Sequence, residues 1–469
     1  MTEIRFGTDG WRGVIADDFT TDNIRTVAYA IARYVVRAEQ PSKGVLVGYD
    51  NRFGGERFAR VAAETLAMTG TPVSIAQTPC PSPAVSLLVR QRGAACGVMM
   101  TASHNPYRWN GMKLKAGYGS SALPSIIAQV EQELEGVLAR GIPPLPPRSG
   151  LIQSFDVLTP YLDTVEKLVD WDRIRASKLR FVADPMHGAA RGLLSTLMKR
   201  NGVTCDEIRG NHDPLFGGVN PEPIEPHIAA LQEAVRAGKY DAGLAADGDG
   251  DRIGAVDRDG TFITPHQVFA ILLWHLAGTR EIPGDVAKTF STTKLLDKIA
   301  ARFRRRVHET PVGFKYICEL MLERDIVLGG EESGGIGTKL YLPERDATVV
   351  ALLLAEVMAW HRKSLGELVA LLHAEFGEHH YGRVDLELRP GQKERAIERF
   401  SSPKLTTLFD WPIANRENLD GIKLYLGDIG WLMLRASGTE NMLRLYSETS
   451  RPDTTASILK RITEQVRSL

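Results

Sequence analysis

The chain reads as an α/β protein in which doubly wound strand–helix units fill most of the length and a smaller α+β unit closes it. Three observations predict this. Its 469 residues exceed what one hydrophobic core usually serves, so three or four domains are expected. From about residue 44 to residue 330, short apolar β-branched runs alternate with helical patterns, the rhythm of βαβ units. Beyond about residue 380 the character changes to strands of alternating aromatic and apolar residues followed by a final helix.

The elements follow in order. GVLVGYD (44–50) is apolar and bounded by glycines, as a buried parallel strand should be. RFARVAAETLAM is an amphipathic helix that stops at Gly70, and PVSIAQ, the helical PAVSLLVRQRG and the strand AACGVMM come next. GIPPLPPRSG (141–150) holds four prolines, which neither a helix nor a central strand tolerates, and marks the end of a first domain, 1–150. LRFVADP, RGLLSTLMKRNG and DAGLAADG repeat the rhythm in a second domain, 151–255, whose end is inferred mainly from spacing. VAKTFST, KLLDKIAARF and DIVLGG do so in a third, 256–373. HAEFGEHHYGR (373–383) is the last boundary. The fourth domain, 380–469, carries VDLELRP, a helical KERAIERF, and two strands, IKLYLGDIGWLMLRAS and MLRLYSETS.

With 57 basic and 57 acidic residues, no global charge favours nucleic acid or an anionic membrane, so positive charge for an anionic ligand must be local. The N-terminus offers no signal-like apolar stretch, and VVALLLAEVMAW (349–360) is too short to span a bilayer. Cys80, Cys96, Cys205 and Cys318 are scattered, which fits buried thiols in reducing cytoplasm, the expected location.

DGDGDR (247–252) concentrates three aspartates in five residues at the end of the strand AGLAA, where open α/β sheets bind ligands. Two like charges at about 4 Å repel by roughly 1 kcal/mol in water and about 4 kcal/mol near a protein surface, so the cluster is either solvated or neutralised by a cation. Alternate residues face one way and the glycines permit a tight path, so Asp247, Asp249 and Asp251 converge as oxygen ligands suited to magnesium or calcium. An EF-hand would need glycine and glutamate where Arg252 and Arg258 stand.

Four further stretches carry candidate chemistry. MMTASHNPYRWNGMKLK (99–115) also follows a strand; Ser103 is a candidate nucleophile or phosphate carrier, with His104 beside it and Lys113 and Lys115 on the next β-like segment. GGEESGGIG (329–337) presents Glu331, Glu332 and Ser333, good partners for vicinal sugar hydroxyls. RASGTEN (435–441) holds a guanidinium, two hydroxyls and a glycine, an inventory for enclosing phosphate. FGTDGWRG (6–13) sets Arg12 between glycines as a further phosphate or acid–base partner. Each alone also reads as an ordinary polar turn.

Together, and in this order, TASHNP, DGDGDR, GEESGG and RASGTEN, with FGTDGWRG and PVGFK (311–315), closely resemble the alpha-D-phosphohexomutase superfamily, and most nearly a phosphoglucomutase. The resemblance implies three doubly wound, mixed-sheet α/β domains and a C-terminal α+β domain, each giving one loop to a central cleft. Ser103 is then the phosphoserine, and Asp247, Asp249 and Asp251, with a phosphoserine oxygen, are the magnesium ligands. Glu331 and Ser333 read sugar hydroxyls; Arg435, Ser437, Gly438 and Thr439 grip the non-transferring phosphate, with Lys315 as a further substrate contact. Arg12, Lys113 and Arg252 flank the phosphoserine, Lys113 and Arg12 being the usual acid–base groups and His104 a neighbour in that role. Gly335 and Phe314 depart from histidines found in some relatives.

The implied reaction interconverts hexose 1-phosphate and hexose 6-phosphate through a hexose 1,6-bisphosphate, which also serves as activator. The Glu-Glu-Ser form of the sugar loop favours glucose, with mannose or glucosamine specificity as alternatives. A phosphomonoesterase or a non-catalytic sugar-phosphate sensor are the competing classes. The expected partner is a small hexose phosphate, with no nucleic acid or membrane, and the expected state is a monomer or homodimer.

Overall fold

The computed structural model describes residues 4–7, 9–436 and 441–469. Four main sheets are built in chain order, each with helices from its own segment. The first runs Trp11–Val14, Trp109–Ala116, Cys96–Met100, Val45–Tyr49, Val73–Ala76, Ile152–Phe155. Its last four strands pair in parallel, while Trp109–Ala116 is antiparallel to both of its neighbours. The second runs Phe262–Ile263, Ile253–Asp257, Ala242–Ala246, Arg180–Asp184, Thr204–Glu207, and the third Val307–Thr310, Asp285–Thr289, Ile326–Gly330, Ile336–Thr338; both combine parallel pairs with antiparallel edges. The fourth, His380–Glu387, Met442–Thr449, Gly430–Ala436, Ile422–Tyr425, Asn415–Glu417, is wholly antiparallel. Three mixed α/β layers and a C-terminal α+β unit are therefore observed, as predicted.

Local sequence explains the helices that organise these layers. ATVVALLLAEVMAWH forms the helix Ala347–His361, largely apolar and buried along most of its length, and the Asp346 carboxylate caps it by accepting the Val349 N–H at 3.1 Å. The helix Pro265–Trp274 opens on a capping box of Thr264 and Gln267, with proline at its first position. One continuous apolar cluster runs through the first three units, from Ile4 to Leu372, whereas the C-terminal unit has its own core around Leu424, Leu434, Leu445 and Ile462.

Two expectations are corrected by strand pairing. Boundaries at 150 and 255 each cut across a sheet: Ile152–Phe155 is an edge strand of the first, and Phe262–Ile263 completes the second. The proline-rich stretch is thus a surface connection within the first unit, and composition alone carries no record of which edge a strand joins. IKLYLGDIGWLMLRAS is also two strands rather than one. Ile422–Tyr425 and Gly430–Ala436 pair as a hairpin whose turn uses Gly427 at φ 61°.

Candidate active site

The acidic loop turns back on itself. Asp247 accepts the backbone N–H groups of Asp251 and Arg252 at 2.9 and 3.1 Å, and Gly250, at φ 72°, donates to the Asp247 carbonyl. One carboxylate oxygen from each of Asp247, Asp249 and Asp251 lies within 4.8 Å of the others, and all three residues are fully buried. Among the described residues, Asp249 Oδ1 and Asp251 Oδ1 have no hydrogen-bond partner. Burial, and then the charges of Asp251 and Asp249, push the Asp247 carboxyl well above the usual carboxylate range. Buried, oxygen-only donors around one point, two of them with an unpartnered oxygen among the described residues, fit a hard divalent cation.

The serine loop meets this cluster. Ser103 follows the strand Cys96–Met100, is 1% exposed, and donates its Oγ hydrogen to Asp247 Oδ2 at 2.8 Å. The contact requires a bare backbone opposite: a Cβ on Gly248 would sit 2.3 Å from the Ser103 carbonyl oxygen. His104 Nδ1 lies 3.5 Å from Ser103 Oγ and its Nε2 4.0 Å from Glu222. Burial, then the cations of Arg252, Arg12, Lys113 and Arg52, hold this imidazole neutral, well below its ordinary range. Arg12 donates to Asn105 Oδ1 at 2.6 Å, on the same loop.

Lys113 and Lys115 share one face of a strand but part company. Lys113 Nζ bonds Asp9 at 2.7 Å, Asp249 at 2.8 Å and Asp251 at 3.1 Å. Burial opposes its charge, yet these carboxylates raise its pKa above the usual lysine range, so it is held as a cation. Burial opposes the Asp249 charge too, but Lys113 and the Ser82 hydroxyl it accepts together hold it below its usual range. Lys115, expected beside the serine, instead pairs with Glu344 at 2.6 Å, both side chains fully buried. Arg252 contributes a guanidinium 3.8 Å from Asp251, and its backbone bridges to Gly335 of the sugar loop.

The sugar loop follows the strand Ile326–Gly330. Glu331 pairs with Arg345 at 3.1 Å, and Ser333 Oγ is buried without a partner among the described residues. Arg435 lies apart from the serine in the C-terminal unit, where its Nε bonds Asp420 at 2.9 Å; Asp420 also accepts the Val312 N–H at 2.8 Å, beside the PVGFK segment. Lys315 stands in the first turn of the helix Phe314–Glu323 with its ammonium 5.3 Å from the Tyr316 ring centroid. Ser437, Gly438 and Thr439 lie outside the described residues.

Two residues that sequence reasoning missed complete the network. Arg345 Nη2 reaches Asp9 and Asp251, each at 2.7 Å, and its Nη1 reaches Glu331. Asp9, in the quoted FGTDGWRG, bonds both Lys113 and Arg345. A signal existed for Arg345: PERDA places three charges directly before a helix too apolar to be exposed, and buried charges must be paired.

Comparison with known proteins follows the same division of the chain. Residues 3–139, 159–260 and 264–376 match the phosphoglucomutase/phosphomannomutase alpha/beta/alpha domains I, II and III, and residues 413–465 match the C-terminal domain. The chain is 31% identical to a phosphoglucosamine mutase of Salinispora arenicola, over 99% of this chain and 98% of that one. It is 29% identical to a phosphoglucomutase/phosphomannomutase of Thermococcus kodakarensis, over 94% of each. A Thermus thermophilus protein assigned as a phosphomannomutase superposes with a TM-score of 0.85 at 33% identity, over 99% of each chain. No helix among the described residues is long and apolar enough to cross a membrane. With four domain matches in order and full-length relatives that are all hexose-phosphate mutases by name, the chain belongs to the phosphoglucomutase/phosphomannomutase family of the alpha-D-phosphohexomutase superfamily, a phosphohexomutase of the isomerase type.

Proposed function

We propose that this phosphohexomutase works on glucose phosphates, interconverting the 1- and 6-phosphates through a phosphoryl group carried on Ser103 and a hexose 1,6-bisphosphate intermediate. One observation carries the reading: the Ser103 hydroxyl is hydrogen-bonded into a buried three-aspartate cluster from a loop 144 residues away. Asp247, Asp249 and Asp251, with an oxygen of the phosphorylated serine, would hold Mg2+, which when bound supplies a Lewis acid that withdraws charge from the transferring group.

The chain's own residues supply the rest. Transfer breaks the bond between Ser103 Oγ and phosphorus and forms one from phosphorus to the free sugar hydroxyl; that hydroxyl gives its proton to a base, and Ser103 Oγ takes one up and leaves as the serine hydroxyl. Lys113, tied to three carboxylates, neutralises charge rather than accepting that proton. His104, with a ring nitrogen 3.5 Å from Ser103 Oγ, is placed to exchange the proton of the serine oxygen itself, and Arg12 and Arg252 steady the phosphoryl oxygens. Glu331 and the Ser333 hydroxyl, unpartnered among the described residues, receive the sugar hydroxyls. Arg435, with Ser437, Gly438, Thr439 and Lys315, holds the phosphate that does not move. The burial of Ser103 keeps water from the phosphoryl group, where a leak would be hydrolysis. After the bisphosphate turns over, its other phosphate returns to Ser103.

The glucose preference rests on the Glu-Glu-Ser loop. Its middle residue, Glu332, accepts the Ser291 hydroxyl at 2.8 Å and so braces the loop that presents Glu331 and Ser333. The test is a side-by-side turnover assay on the 1-phosphates of glucose, mannose, glucosamine and N-acetylglucosamine with magnesium and bisphosphate. Glucose is expected to show the highest kcat/KM and mannose the next. Preference for glucosamine would overturn the sugar assignment alone, and release of inorganic phosphate without an isomeric product would overturn the mutase mechanism.

A further inference from the structure

We propose that Arg52 is a positioning residue for phosphoryl transfer: a buried guanidinium that holds the Ser103 loop in its reacting shape without touching substrate. The inference rests on the reading of Ser103 as the phosphoryl carrier.

Arg52 lies just beyond the strand Val45–Tyr49, and its guanidinium is wholly inaccessible to solvent. A guanidinium has five N–H donors in a fixed fork, and here every one finds an acceptor. Nε bonds Asp50 Oδ2 at 3.1 Å. Nη1 bonds the carbonyls of Pro106 and Trp109, both at 2.9 Å. Nη2 bonds the carbonyls of Ser103 at 2.6 Å and Asn105 at 2.7 Å. Four of the five acceptors are therefore backbone oxygens of the segment 103–109, which encloses the serine.

That segment needs such a clamp. Ser103 adopts φ 54°, the left-handed region that residues with a Cβ avoid. Its two backbone groups are gripped from one cluster. Thr101 Oγ1 accepts the Ser103 N–H at 2.8 Å and donates to Asp50 Oδ2 at 2.6 Å, while Arg52 takes the Ser103 carbonyl. The same carbonyl lies against Gly248 of the acidic loop, so fixing it sets the register between serine and aspartates. Asn51 extends the tie by donating to the carbonyls of His187 and Gly188, each at 2.7 Å, and Ala189 donates to the Gly248 carbonyl at 2.9 Å. Asp50, Asn51 and Arg52 thus brace the two reacting loops from behind. Lysine offers three donors on a point charge and cannot reproduce five planar bonds.

The test is Arg52→Lys in the full-length protein, with Thr101→Val as a second variant that removes only the hydroxyl linking Asp50 to the Ser103 N–H. A displacement of about 1 Å at a reacting group costs roughly 10²-fold in rate. Arg52→Lys is therefore expected to lower kcat by about 10²-fold and Thr101→Val by about tenfold, with KM for hexose 1-phosphate within about twofold of wild type, because neither residue meets the sugar. A purely structural role would instead lower the melting temperature and leave kcat per folded molecule unchanged. If Arg52→Lys does not fold, Thr101→Val decides. Folded variants that keep full kcat, or that raise KM alone, overturn the proposal. Ser103→Ala separates the two readings: an inactive Ser103→Ala beside fully active Arg52→Lys and Thr101→Val removes only the clamp, whereas an active Ser103→Ala removes the phosphoserine and the clamp together.

Discussion

The two halves of the proposed cleft are built differently. The serine and aspartate half is cross-linked by buried charge: Lys113 joins the first unit to the second, Arg345 joins the third to both, and Lys115–Glu344 ties the first to the third, and one continuous apolar cluster runs through the same three units. The phosphate half belongs to a unit with its own core. Its junction rests on a small aromatic patch of Phe290, Trp431, Met433 and Tyr446 and on a few polar contacts. Lys423 donates to the Phe290 carbonyl at 2.8 Å, the Lys294 N–H to Glu448 at 3.0 Å, and the Val312 N–H to Asp420. Buried ion pairs cost desolvation and repay it in fixed geometry, whereas a separately cored unit can be perturbed without disturbing the rest. The difference teaches that changes in one half should act on kcat and global stability, and changes in the other on KM.

The largest effect expected from this contrast is at the serine. Ser103→Ala should lower kcat by on the order of 10³-fold or more while hexose phosphate still binds by calorimetry; near-normal turnover would refute the division of labour. Next is Lys115→Met, which strands a buried Glu344 carboxylate. It should destabilise the protein by about 3–5 kcal/mol in denaturant titration, and replacing Glu344 with leucine as well should recover most of that loss. A loss under about 1 kcal/mol would mean that the interlock contributes little. Arg435→Ala should raise KM by about 10- to 100-fold with kcat little changed, from the loss of a charge-assisted contact worth about 1.5–3 kcal/mol. A fall in kcat alone would place Arg435 with the reacting half.

The smallest effect is a pH dependence at the junction. His266 is buried against Tyr381, ring centroids 3.9 Å apart, and its Nδ1 accepts the Thr293 N–H at 3.3 Å. Burial lowers its pKa to about 4 from an ordinary 6.5; Glu448 and Glu332 favour its charged form, and Lys288 and Lys423 oppose it. Between these values the unfolded chain binds a proton that the folded chain refuses, so stability is lost as pH falls from about 6.5 towards 4. The melting temperature of His266→Gln should fall less steeply than that of wild type across this window, and identical slopes would exclude His266 as the source.

What was legible in the sequence is what local chemistry dictates. A short apolar run followed by glycine, acid or hydroxyl residues announces a loop at a strand end, and three such loops carry Ser103, the aspartates and Glu331. The largely apolar helix at 347–361 likewise declared a buried element. Partners across long separations were not legible. Nothing in PERDA names Asp9, 336 residues earlier, as the partner of Arg345, and Lys113 and Lys115 look alike until the strand meets two different neighbours.

The sequence by itself determined the periodicities, the turns that glycine permits and the inventory of charge, because these depend on neighbours along the chain. Only the tertiary structure decided which carboxylate meets which cation, which edge each strand joins and which guanidinium holds the serine in a left-handed turn. Those outcomes depend on burial, and burial makes an unpaired charge costly enough to select its partner from anywhere in the chain.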